Sequence, residues 1–370
     1  MNKHLNILYV EDDAGNQKEL KEILTGKVIN GYDLTIDCES SFENAIDRSE
    51  GYHIVILDLY EGDATKGGHE MGSKIFDEIK TKLFVPLIFY SGNITGVKDL
   101  RSQVIGIASK GDNISVLEAE IERLTKHNIP FLKENVHTYI DNEFKNYFWT
   151  VVQAQNDKFT PESDDFSLGY MLLRNFADSL SKENIKRIIG DNTIDPTKVH
   201  PMEFYIYPTN PSKEFENGEI IRNKENNELS VILTPSCDFI ERYNKKGINE
   251  GRSVKHVLLI RTKLLTEFQE FKDYQQSQNK ENTNKLEKLL NSGKSDRYFF
   301  LPQVPFIQNR VIDFQCNTSV TYDELSQNYE RIAKLDAPFA QSMTSSFIRY
   351  YNRIGFPDID TNYVKTHLEI

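Results

Sequence analysis

Cysteine is scarce in this 370-residue chain: Cys38, Cys237 and Cys316 are the only three, far apart and odd in number. That excludes a disulfide framework and a cysteine-rich zinc site, and leaves reduced thiols as the expected state. Long apolar runs are missing too. No stretch approaches the roughly 18 uncharged apolar residues of a membrane-crossing helix. Met1-Asn2-Lys3-His4 leads straight into a strand pattern without the apolar core of a signal peptide, so cytoplasmic residence is expected. Positive charge is also short, the formal net charge being −12. Residues 1–127 hold 14 Lys and Arg against 22 Asp and Glu, a net of −8; the remainder holds 30 against 34, a net of −4. Neither part carries the basic stripe of a nucleic-acid-binding module, so nucleic acid is not an indicated partner. The nearest thing to a basic face is Lys182, Lys186 and Arg187. Walker loop, zinc motif and catalytic-triad spacing are all lacking.

What the sequence does have is a set of polar residues at the ends of apolar runs. The runs are Leu5–Val10, Tyr32–Asp37, His53–Leu57, Phe84–Tyr90 and a weaker Val104–Ala108. Helix-like segments at 16–24, 41–49, 72–80, 96–102 and 114–125 alternate with them or follow them. Alternating β and α over this length predicts an α/β domain with a doubly wound, five-stranded parallel sheet of flavodoxin type. In such a sheet, ligands bind beyond the carboxyl ends of the strands, where strand order reverses. Glu11 and Asp12 follow the first strand, Asp58 the third, Ser91 the fourth and Lys110 the fifth.

Those residue types suit one chemistry. Three crowded carboxylates repel unless a cation joins them, and an all-oxygen site with few protein ligands suits octahedral Mg²⁺. Asp58 is then the nucleophile that takes a phosphoryl group, with Lys110 supplying charge and Ser91 a hydroxyl to its oxygens. Gly92 offers a main-chain N–H to the phosphate. The expected metal ligands are Glu11, Asp12, Asp58 and the main-chain carbonyl of Tyr60.

Tyr9-Val10-Glu11-Asp12, Ile54-Val55-Ile56-Leu57-Asp58, Phe89-Tyr90-Ser91-Gly92 and Ser109-Lys110 together resemble the receiver domain of two-component response regulators. The resemblance covers about residues 4–127 and implies Mg²⁺ and phosphorylation at Asp58 by a histidine kinase or phosphotransfer protein. Three features depart from it. Gly111 stands where the family has proline, and Ile107 where it has Tyr or Phe. The segment Tyr60–Met71 is long and glycine-rich. In style this receiver is similar to divergent ones in bacterial conflict and phage-defence clusters.

The domains expected are a receiver (1–127), a helical connector (128–195) and an α+β effector-like domain (196–370). Leu132, Val136, Ile140, Phe144, Phe148 and Val152 recur at steps of four, giving one long amphipathic helix. Such a face packs on the next domain or makes a homodimer seam, and the lack of strict heptads favours packing. A second helix is read over 166–189. Strands are read at 203–207, 218–222, 228–235, 254–261, 298–301 and 310–315, with a charged helical excursion at 263–291 and one helical stretch over 322–354. This order predicts a small, mostly antiparallel barrel flanked by helices. Ser230–Asp238, Tyr298–Pro302, Val311–Phe314 and Arg331–Pro357 look like a family of uncharacterised bacterial proteins. Cys237 and Asp238, with His200 or His256 as base, and Arg349 with Arg353 are the candidate effector site. Three readings follow for the whole chain: a phosphorylation-controlled regulator, a scaffold without catalysis, and a phosphorylation-gated hydrolase or nuclease. Only the receiver's own phosphorylation and dephosphorylation would be enzymatic under the first.

Overall fold

The computed structural model describes residues 3–60, 71–82, 84–155, 158–159, 168–190, 195, 197–292, 296–353 and 358–368. The glycine-rich segment after Tyr60 lies outside them. The chain divides into two compact units, Met1–Thr197 and Lys198–Ile370.

The first unit is built on β1 (Lys3–Val10), β2 (Val28–Ile29), β3 (Tyr32–Glu39), β4 (Ile54–Leu57), β5 (Leu87–Ser91) and β6 (Ile105–Ser109), in the order β2-β3-β1-β4-β5-β6. The five longer strands pair in parallel, as the alternating pattern predicts. With β2 set aside, the order is that of a flavodoxin-like sheet, and its direction reverses at β1 and β4. The sixth strand, β2, was not expected. It pairs antiparallel with β3 across Asn30-Gly31, both at positive φ (50° and 81°). Asn-Gly is the sequence that such a two-residue hairpin turn selects.

Alternation along β1 sends Leu5, Ile7 and Tyr9 to one face and Leu8 and Val10 to the other. The first face packs under α1 (Ala14–Leu24) and α4 (Ile114–Thr125); the second packs under α2 (Phe42–Arg48) and α3 (Met71–Lys82). Asp13, Ser41 and Asn113 cap α1, α2 and α4 through their side-chain oxygens. Between β5 and β6 the expected helical piece is a short 3₁₀ turn, Thr95–Leu100.

Three more helices, α5 (Leu132–Asn146), α6 (Leu168–Ser179) and α7 (Lys182–Ile189), complete this unit. The stretch expected as one helix to Val152 becomes a π turn at Tyr147–Val152. Between Leu132 and Val152 the buried residues are Tyr139 and Tyr147, beside the apolar stripe that the spacing marks. Asn128 ties the helices to the sheet. Held at φ 60°, it accepts from Tyr32 Oη (2.9 Å) and donates to the Ile189 carbonyl (2.7 Å). Phe131 stacks on Tyr32, with ring centroids 4.7 Å apart.

The second unit has one seven-stranded antiparallel sheet. Its strands are β7 (Tyr205–Ile206), β8 (Glu219–Asn223), β9 (Leu229–Ile232), β12 (His256–Leu264), β13 (Tyr298–Leu301), β14 (Arg310–Thr321) and β15 (Tyr329–Leu335), in the order β13-β14-β12-β9-β8-β15-β7. A separate small hairpin pairs β10 (Arg242–Tyr243) with β11 (Asn249–Gly251). No ladder joins the edge strands β13 and β7 among the described residues, so the sheet is not a hydrogen-bonded closed barrel. Side chains nevertheless bridge the edges. Tyr205 Oη donates to the Pro302 carbonyl at 2.8 Å, and the rings of Tyr207 and Phe306 stack at 3.9 Å.

Helices α8 (Gln269–Gln276) and α9 (Lys280–Leu290) form the charged excursion, anchored by Leu286 and Leu289 against Leu265 and Val311. The stretch expected to be one helix over 322–354 is three elements: α10 (Tyr322–Asn328), strand β15, and α11 (Phe339–Tyr351). Ile332 and Leu335, three apart, imitate helical spacing. A bulge between Arg331 and Ala333 instead lets Ile332, Ala333 and Leu335 all bury from a strand, and Asp336-Ala337-Pro338 interrupts the chain before α11. A last short helix, α12 (Thr361–Thr366), lies in the exposed tail.

Candidate functional site

Five separated residues meet at the carboxyl ends of β1, β4, β5 and β6. Glu11 and Asp12 directly follow β1 and Asp58 follows β4, with the Asp58 N–H held on the Val10 carbonyl at 3.0 Å. Ser91 ends β5 and is buried; Lys110 follows β6, its N–H bonded to the Ser91 carbonyl at 3.0 Å. One oxygen from each of Glu11, Asp12 and Asp58 lies within 4.8 Å of the others.

The Lys110 ammonium spans two of these acids, 2.5 Å from Glu11 Oε2 and 2.6 Å from Asp58 Oδ2. Burial alone would lower the Lys110 pKa, but the bonds to Asp58 and Glu11 outweigh it and raise it above the ordinary lysine value. Asp58 Oδ1 accepts the Leu59 N–H at 2.6 Å, and the Tyr60 N–H lies 3.5 Å from the same oxygen. The main chain thus fixes one oxygen of Asp58, and the Lys110 side chain holds the other.

Glu11, 1% exposed, is saturated with donors. Tyr9 Oη reaches its Oε2 at 2.6 Å; Asn16 Nδ2 and the Asp13 N–H reach Oε1 at 3.1 and 3.3 Å. Gln17 Nε2 bonds its carbonyl. Sequence reasoning missed Tyr9, Asn16 and Gln17. The signal for Tyr9 was present: a phenol in an Ile/Leu/Val strand, two residues before an acid and therefore on its side of the sheet. Burial, then the charge of Glu11, pushes the Tyr9 phenol far above its ordinary range, so it remains a donor.

The carboxylates fit a hard divalent cation on donor chemistry: all the donors are oxygen, and the charge they gather is only part-compensated by one ammonium. Gly92 is exposed just past β5, and a Cβ there would meet nothing within 4 Å. Gly111 donates its N–H to Ser109 Oγ at 3.2 Å, a bond that a proline could not make. Ile107 is half-buried on the α3 side of the sheet, whereas Tyr90 faces the other side, 6.2 Å from the Tyr9 ring.

In the second unit the candidate residues are not gathered. Cys237 is exposed in a 3₁₀ turn, Ser236–Asp238, with Sγ 3.8 Å from Asp238 Oδ1. His200 caps another 3₁₀ turn, its Nδ1 accepting the Met202 N–H at 3.2 Å, and His256 opens β12, exposed. Arg349 is bonded to Asp296 and Ser346, both at 2.9 Å. Arg353 donates to the Tyr350 carbonyl at 2.9 Å and lies 4.1 Å over that ring. Two clefts of this unit, at the start of α11 and beside β15, are lined by none of these residues.

No protein-family model matches the chain, and no curated protein does. Solved structures that align with it, each over about a third of the chain, include the following three. The chemotaxis protein CheY4 of Vibrio cholerae is 16% identical, over 33% of this chain and 98% of that one, with a TM-score of 0.25. A two-component transcriptional regulator AraC of Clostridium phytofermentans is 20% identical, over 36% and 98%, at 0.26. A response regulator receiver protein of Sinorhizobium medicae is 16% identical, over 33% and 94%, at 0.25.

Proposed function

We propose that the first unit is a receiver that accepts a phosphoryl group on Asp58 and thereby controls the second unit, as a two-component response regulator. The observation that carries this reading is the convergence of Glu11, Asp12, Asp58 and Lys110 at the point where strand order reverses, with Asp58 Oδ1 pinned by the Leu59 amide and Oδ2 held only by Lys110. Glu11, Asp12, Asp58 and the Tyr60 carbonyl would hold Mg²⁺, which when bound neutralises charge on the incoming phosphoryl group. Asp58 Oδ2 attacks phosphorus as the bond to the donor breaks, and the leaving imidazole of a histidine kinase or phosphotransfer protein keeps the electron pair and takes up a proton. Lys110 moves from Asp58 to a phosphoryl oxygen. Ser91 donates its hydroxyl to another, and the Gly92 N–H is at hand for the same group. Cytoplasmic residence goes with such a partner.

Control of the second unit requires a differential contact of several kcal/mol between the two phosphorylation states. With Ile107 in place of an aromatic residue, that readout takes another route than a ring swinging at this position. The test is incubation of the full chain with Mg²⁺ and a small phosphodonor, followed by intact-mass measurement. A gain of one phosphoryl group that vanishes in Asp58→Asn supports the reading. Equal labelling of Asp58→Asn defeats it.

A further inference from the structure

The seven-stranded sheet of the second unit leaves part of one long strand unpaired on one side. β13 covers β14 only at Arg310–Asp313, whereas β12 runs beside β14 as far as Thr321. A register shift separates the two stretches, and beyond it Asn317–Thr321 pairs regularly with His256–Ile260. The direction of the main chain there follows from β12. Leu258 bonds toward β9, accepting the Leu233 N–H at 2.9 Å and giving its own N–H to Thr234 Oγ1 at 2.8 Å. Alternation turns Val257 and Leu259 toward β14, where Val320 and Thr318 lie opposite them. The N–H and C=O groups of Asn317 and Ser319 therefore point away from β12, along an edge that no other strand covers among the described residues. Both residues are exposed. Edge strands are ordinarily blunted by charge, proline or bulges. Between Asp313 and Asp323 the sequence holds neither a charged residue nor a proline, and the register shift lies before Asn317.

We infer that this edge pairs with the same edge of a second copy of the chain, antiparallel about a two-fold axis at Thr318. A two-fold contact needs a patch that complements itself. Rotation about Thr318 sets Asn317 against Ser319 of the other copy, and these are the residues whose main chains face outward. Each such pair exchanges N–H and C=O in both directions. Thr318, its own main chain turned to Leu259, meets its copy as a close non-hydrogen-bonded pair with Cα atoms about 4.5 Å apart. A centre at Asn317 or Ser319 would bring in Gln315 or Thr321, whose N–H groups are already given to Asp313 (3.2 Å) and Glu324 (2.8 Å). The lack of charge spares two identical strands the repulsion of like charges set opposite each other. A foreign peptide would meet the same main-chain groups without a side-chain pocket, because the two clefts of this unit are not lined by Asn317, Thr318 or Ser319. The inference stands apart from the Asp58 reading, since all of these residues belong to the second unit.

The test is sedimentation velocity of the full chain, with a disulfide as the probe of register. An edge this short makes a weak dimer, so the parent should pass from monomer toward dimer over roughly 10–200 µM. Ser319→Pro removes an outward N–H without costing a bond to β12, and should weaken association at least ~tenfold because symmetry removes that bond twice. In a Cys237→Ser background, Thr318→Cys should form an interchain disulfide under mild oxidation, since Cα atoms about 4.5 Å apart are within disulfide reach. Ser319→Cys, whose copies would stand diagonally about 7–8 Å apart, should not. Circular dichroism confirms that each variant folds, and the two cysteine variants decide alone if Ser319→Pro does not. A parent that stays monomeric throughout that range, a dimer that a folded Ser319→Pro leaves unchanged, or equal cross-linking of Thr318→Cys and Ser319→Cys overturns the inference.

Discussion

Tyr9→Phe removes one oxygen from the interior of the first unit and leaves the ring. No cavity of consequence forms, so its cost isolates the bond from Tyr9 Oη to Glu11 Oε2 at 2.6 Å. Hydrogen bonds to charged groups contribute roughly 1.5–3 kcal/mol. Glu11 Oε2 keeps Lys110 as a donor at 2.5 Å and is not orphaned, which places the loss at the lower end, about 1.5 kcal/mol. The assay is urea denaturation of the full chain near neutral pH in the presence of a chelator. Two units can unfold separately, so the relevant transition is the one that moves when Mg²⁺ is added. It should shift to lower urea with an unchanged slope. A change below ~0.5 kcal/mol would mean that the phenol is exchanged for water at no cost, and the saturated shell assigned to Glu11 would be wrong.

Mg²⁺ at about 100 times its Kd should stabilise the first unit by ~2.7 kcal/mol, and Asp12→Ala should abolish most of that gain; thermal melts with and without the ion measure both. Alkaline stability follows from Lys110: its folded-state pKa is raised, so its contribution is complete below the ordinary lysine value of about 10.4 and disappears as pH climbs through the higher folded one. Denaturation should therefore show the Mg²⁺-responsive transition holding between pH 7 and 9 and falling above about 10.4, a fall that Lys110→Met lacks. Gly218→Ala should destabilise the second unit by more than ~1 kcal/mol, because Gly218 sits at φ 83° and a Cβ would stand 3.0 Å from the Ala340 Cβ. Gly92→Ala, with nothing within 4 Å of the added carbon, should match the parent in the same melts.

The sheet of the first unit and the rim where its polar residues meet were legible because each signal was local. Runs such as Ile54–Leu57 are buried on both faces and announce themselves by composition, and an acid or lysine just past such a run sits where topology puts ligands. What escaped was whatever depends on distant partners. The bond of Tyr9 to Glu11 needs the strand's twist and burial as well as its alternation. Strand β15 was hidden because its bulge makes the apolar spacing of Ile332 and Leu335 look helical, while its identity as a strand comes from pairing with β8, more than a hundred residues earlier. For Cys237, Asp238, Arg349 and Arg353, residue type suggested chemistry, but nothing in the sequence could say that the arginines already hold Asp296, Ser346 and Tyr350.

Asn128 has a practical bearing on where this protein can be cut. An excised fragment ending at residue 127 would follow the apparent receiver boundary, yet it would discard the Asn128 oxygen that accepts from Tyr32 and the Phe131 ring, which covers Tyr32 and His53 and is only 4% exposed. Stripping that ring away uncovers apolar surface worth roughly 1.5–3 kcal/mol, a sizeable part of what keeps a small domain folded. The compact unit that carries this lid is Met1–Thr197.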